Sequence, residues 1–82
     1  GRLAVGQFYF RIREFDNAIE QFNKGIQEVP RDKALYQRRL VETMVMQGKK
    51  TEATQLVEQI LKADPKDNEA LAMRASLMLQ SG

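Results

Sequence analysis

Residues 6–30 read GQFYFRIREFDNAIEQFNKGIQEVP, and the spacing of their apolar residues decides the fold. Phe15, Ala18, Ile19, Phe22 and Ile26 recur at three- and four-residue intervals with Gly25 between them, one stripe on a 3.6-residue period. Ahead of them Val5, Gly6, Phe8 and Tyr9 form a second, shorter apolar set. Glu14 and Asp16 stand where the second stripe begins, and negative charge suits the positive end of a helix dipole. Pro30 has no backbone donor and clashes with the turn before it, so it closes the unit. The stretch predicts two amphipathic helices, over about residues 2–12 and 15–28, joined by a short turn.

Working outward, the pattern continues to the end of the chain. A third helix is expected over residues 33–47, with Leu40, Val41 and Met44 inward and Gly48 free to take the positive φ that ends a helix. A fourth is expected over residues 50–63, with Ala53, Leu56, Val57, Ile60 and Leu61 apolar. Asp64-Pro65-Lys66-Asp67 is the second break, and Asp67 is a good N-cap for the helix that follows. A fifth helix is expected over residues 68–80, with Leu71, Ala75 and Met78 on one face. No strand-type alternation is sustained, so the class is all-α. Short loops between consecutive helices favour antiparallel neighbours.

The units repeat. Gly6 aligns with Val41 at 35 residues and Val41 with Ala75 at 34; Arg13, Gly48 and Gly82 follow the same steps. Ala18 aligns with Ala53, Phe22 with Val57 and Pro30 with Pro65, each at 35. Two helices that cross closely need small residues where their backbones meet, here Gly6 and Ala18, and larger ones at the flanking turns, here Tyr9 and Phe22. One hairpin cannot cover its own apolar face, and stacking a second against it does.

Composition narrows the function. The chain has 82 residues, 43% hydrophobic and 29% charged, which fits one folded domain. A chain this short buries only about 60–65% of its unfolded surface. Lys and Arg number 13 against 11 Asp and Glu, and the signs alternate, where a nucleic-acid binder usually carries a basic stripe. With no Cys and no His there is no disulfide framework, no thiolate and no imidazole ligand or base, and neither a metal nor a cofactor is expected. No apolar run approaches the roughly 20 residues of a membrane span, and no signal peptide opens the chain. The cytoplasm is the default reading. The chain begins without Met, and both ends read as cut from something longer.

At these positions the chain resembles the tetratricopeptide-repeat family, whose pattern is a large apolar residue, then Leu-Gly, then Tyr, and later Ala, Phe and Pro, every 34 residues. The first unit reads Arg2, Val5-Gly6, Tyr9, Ala18, Phe22, Pro30, and six of its seven positions fit. The second reads Gln37, Leu40-Val41, Met44, Ala53, Val57, Pro65; the third reads Leu71, Arg74-Ala75, Met78. Arg2 departs from the pattern in a stretch expected to fray. Gln37, Val41 and Arg74 depart too, and an extra residue near Lys33 shifts the junction. The resemblance implies a right-handed superhelix, an α-solenoid of antiparallel helical hairpins with five helices. It divides the chain into a repeat over 1–32, a repeat over 33–67, and a half repeat or capping helix over 68–82.

The resemblance also implies where a ligand sits: in a concave groove lined by the first helix of each hairpin. Carried over by position, that groove includes Leu3, Gln7, Phe10 and Arg11 from the first unit. From the second it includes Arg38, Arg39, Glu42, Val45 and Met46, and from the third Met73, Ser76 and Gln80. Phe10 lies off the Val5–Gly6–Tyr9 stripe and suits either an aromatic anchor for a partner or packing on the next hairpin. Arg38 and Arg39 suit acidic side chains or a terminal carboxylate, or else pair locally with Glu42. Chaperone-binding members of the family use a carboxylate clamp of Lys, Asn, Asn, Lys and Arg. The matching positions here are Leu3, Gln7, Arg39, Glu69 and Met73, none of which fits, so peptides ending in Glu-Glu-Val-Asp are not expected to bind.

The leading expectation is therefore a protein-interaction scaffold that binds a peptide or protein segment. An enzyme is disfavoured, because no nucleophile–base pair, metal cluster or phosphate loop is present and the carboxylates sit at helix starts or on polar faces. Nucleic-acid binding through helical repeats is a minor alternative that the charge balance opposes. Self-association is the other: the fifth helix has no partner helix, and Leu71, Met78 and Leu79 are left to form an open face, or a dimer.

Overall fold

The computed structural model describes residues 1–81; Gly82, the third member of the Arg13–Gly48 series, lies outside them. Five α-helices follow one another: α1 over Arg2–Arg11, α2 over Phe15–Glu28, α3 over Lys33–Met46, α4 over Lys50–Ala63 and α5 over Asn68–Ser81. No strand occurs among the described residues. Each helix packs on the next in the chain, and the whole is a slab of 34 × 27 × 16 Å.

The breaks have local causes. Val29 and Asp64 each precede a proline, whose ring drives the residue before it out of the helical region, and both are extended, at φ −131° and −143°. After Pro30 the chain makes one 3-10 turn, Pro30–Asp32, and runs directly into α3. After Pro65 it turns instead to Asp67, whose Oδ1 accepts from the Ala70 backbone N–H at 3.0 Å and caps α5.

The two tight turns are built alike. Arg13 and Gly48, 35 residues apart, are the described residues with positive φ, at 63° and 77°. In each turn the next backbone N–H reaches back five residues, Glu14 to the Tyr9 carbonyl at 2.9 Å and Lys49 to the Met44 carbonyl at 2.8 Å. This is a Schellman closure, which satisfies the last free carbonyls of α1 and α3.

Two clusters form the core. One joins Ala18 and Phe22 of α2 to Tyr36 and Leu40 of α3, with Leu3, Tyr9 and Phe10 of α1 packed against it. The other joins Val41 of α3, Ala53, Val57, Ile60 and Leu61 of α4, and Ala70 and Leu77 of α5. Met44 and Leu56 touch both and make the core continuous.

The structure departs from the sequence reading at several places, and position in the array explains most of them. Val5 and Phe8 are exposed rather than inward, at 42% and 49%. Their counterparts one repeat on, Leu40 and Thr43, are buried at the face where α3 meets the preceding hairpin, and no described helix precedes α1. Ala75 is exposed because no described helix crosses α5 as α2 crosses α1 at Gly6. Arg74 takes the place of Leu40 at an apolar position and reaches back to Glu58 on α4 at 3.5 Å. Arg2 does not fray: it is bound to Glu28 by Nε at 3.0 Å and Nη2 at 2.9 Å, and its Nη1 donates to Gln21 at 3.0 Å. These bonds pin the start of α1 to α2.

Candidate functional site

The odd-numbered helices share one face, and most of the expected groove residues meet there. A cleft of about 400 Å³ is lined by Phe10 from the end of α1, by Val41, Glu42, Val45 and Met46 from α3, and by Ala72, Met73, Ser76, Leu77 and Gln80 from α5. A second cleft of about 360 Å³ adjoins it, lined by Gln7, Phe10 and Arg11 of α1, Arg39 and Glu42 of α3, and Phe22 of α2. Phe10 and Glu42 belong to both, so the two are halves of one groove. Both volumes fall within the range of ordinary ligand clefts, about 300–1,000 Å³.

Helical spacing explains the convergence. Gln7 and Phe10 are three residues apart and Gln7 and Arg11 four, so they share a face of α1; Glu42 and Met46 do the same on α3, and Ala72, Ser76 and Gln80 on α5. Phe10 is half-buried and held edge-on against Phe15, ring centroids 5.7 Å apart, which fixes it between the two clefts. It packs against the first core cluster and also lines both clefts.

The groove has a polar half and an apolar half. In the polar half, Arg39 Nη1 donates to Glu42 Oε1 at 2.6 Å, an i,i+3 pair on α3. Arg11 is exposed and has neither an ion pair nor a hydrogen bond through its side chain among the described residues. The apolar half carries no charged side chain other than Glu42.

Two expected groove residues lie elsewhere. Leu3 is half-buried and packs against the first core cluster. Arg38 is committed inside the fold: Nη1 donates to Asp67 Oδ2 at 2.7 Å, and Nε lies 3.2 Å from Glu69 Oε2. It ties α3 to the start of α5. Arg38 and Arg39, adjacent in sequence, thus point to different tasks. The sequence reading leaves Ala72 and Leu77 out of the groove and places Val41 inward, yet all three line the cleft. The four-residue series Ala72, Ser76, Gln80 carried the signal for the first. The other two form the floor, where packing and lining coincide.

Two stacked helical hairpins and a fifth helix, repeating at 35 residues, define a helical-repeat protein. A tetratricopeptide-repeat family model matches residues 7–77, and the chain belongs to that family. Repeats of this family are in general protein–protein interaction modules, and the family is a non-catalytic, scaffolding one. No curated protein matches the chain. No described helix is long and apolar enough to cross a membrane.

Proposed function

We propose that the chain binds a peptide or protein segment in the groove between α1, α3 and α5. The carrying observation is the pair of clefts that meet at Phe10, with Met46 and Met73 as polarizable, adaptable walls. In this reading residues 1–32 and 33–67 are two repeats, and 68–82 is the half repeat that completes the groove. Gln7, Phe10, Arg11, Arg39, Glu42, Met46, Met73 and Ser76 line it; Leu3 and Arg38 hold it in shape. A chaperone-type carboxylate clamp does not fit, since Leu3 is packed inward and Glu69 is paired with Arg38. Titration with a labelled partner peptide, read by backbone NMR shifts, tests the assignment. Shifts are expected on α1, α3 and α5 around Phe10; shifts confined to α2 and α4 would rule the groove out.

A second reading is self-association through α5. Met78 and Leu79 are 67% and 81% exposed on its outer face. Light scattering over a concentration series, with Leu79→Asp as control, tests it. A strictly monomeric parent chain ends this reading.

A further inference from the structure

Resting on the groove reading above, we infer that the bound segment carries a large apolar side chain next to a carboxylate. The argument is charge complementarity across the two clefts. On the apolar side, Phe10, Val45, Met46 and Met73 surround a cavity of about 400 Å³, and the α5 wall brings no charged group to it. Such a wall is satisfied by a side chain of the Leu, Met or Phe class; the two methionines adapt to any of these. On the polar side, the charges are accounted for one by one. Arg39 and Glu42 neutralise each other at 2.6 Å. Arg38, the other arginine of this helix, is used by Asp67 and Glu69. That leaves Arg11, exposed and unpaired among the described residues, as the uncompensated charge at the cleft. Its guanidinium fork suits a carboxylate, and a basic segment would meet it with like charge. Phe10 stands between the two halves, so the apolar group and the acid must be neighbours along the ligand.

The test is selection of random displayed short peptides on the intact chain at low ionic strength, followed by fluorescence polarisation of an enriched peptide. Enriched peptides are expected to place Leu, Met or Phe beside Asp or Glu. Replacing that acid by its amide in the peptide should weaken binding about fivefold to the parent chain and leave binding to Arg11→Gln unchanged. Phe10→Ala should weaken the acidic and the amide peptide alike, by about tenfold or more. Met46→Ala, at an exposed position, repeats that test without touching the core. Enriched peptides without an acid, or an Arg11→Gln chain that still prefers the acid, overturn the carboxylate and leave the groove standing. Failure to enrich any peptide, or equal binding to parent, Phe10→Ala and Met46→Ala, overturns the groove reading and this inference together.

Discussion

The ring of Tyr36 on α3 lies directly against the backbone of α2 at Gly25. A Cβ placed on Gly25 would stand 2.7 Å from Tyr36 Cε2 and closer still to two other ring atoms. Tyr36 is buried, and Phe22 sits beside it with ring centroids 6.4 Å apart, so the ring has little room to withdraw. This contact joins the first hairpin to the second. Gly25→Ala is expected to destabilise the chain by up to about 2 kcal/mol. Overpacking of about 1–3 kcal/mol exceeds the roughly 1 kcal/mol that Ala gains over Gly in a helix. Urea unfolding followed by helical circular dichroism measures it. A stabilised Gly25→Ala would mean that the two hairpins are not held this closely.

Gly48 isolates a backbone effect. Its φ is 77°, and a Cβ there would meet nothing within 4 Å. Gly48→Ala is therefore expected to cost about 1 kcal/mol, all from the left-handed conformation. The same unfolding assay reads it, with an unchanged dependence on denaturant because the surface exposed does not change. A neutral Gly48→Ala would show that the α3–α4 turn relaxes away from the Schellman geometry.

These two glycines also show what was legible in the sequence. Helix limits were, because proline and positive-φ positions act locally: both prolines and the Arg13–Gly48 pair sit at the ends they predict. The packing code was legible only in part, since repeats exchange volume between partners. Gly6 admits the ring of Phe22, where the second hairpin sets Val41 with Val57 in one cluster. Gly25 admits Tyr36, where the second junction sets Ile60 with Ala70. A pattern that scores each position alone reads Val41 as a defect, though it is 2% exposed. The groove followed from helical spacing and the family resemblance. What did not follow was the division of labour between Arg38 and Arg39, because the acids that capture Arg38 lie 29 and 31 residues away in sequence.

Asp67 does two jobs, and its variants separate them. One oxygen caps α5 at the Ala70 N–H, and the other accepts from Arg38 at 2.7 Å with both side chains largely buried. Asp67→Ala is expected to cost about 2 kcal/mol, roughly 1 kcal/mol for the cap and the rest for a half-satisfied Arg38 that keeps only Glu69. Asp67→Asn keeps a cap acceptor and should lose about half as much. Equal losses for the two would place the whole effect in the ion pair; hydrogen exchange at the first turn of α5 distinguishes cap loss directly.

The Arg2–Glu28 pair gives the fold a pH-dependent clasp between α1 and α2. Arg2's two hydrogen bonds, opposed by a smaller desolvation effect and aided by its charge, hold the Glu28 carboxyl below the usual carboxylate range. The folded state therefore binds fewer protons at Glu28 than the unfolded state does in the acid range. The sign follows: the contribution is fully present above the ordinary glutamate value of about 4.3, and it is lost as pH falls through the lower folded value. Glu28→Gln removes this contribution, so the thermal midpoints of variant and parent should differ near neutral pH and converge as pH falls through the lowered carboxyl range of folded Glu28. Both side chains are substantially exposed, so the difference is small and should shrink further with salt. A gap between parent and variant that widens on acidification would contradict the assignment of Glu28 as the ionised partner of Arg2.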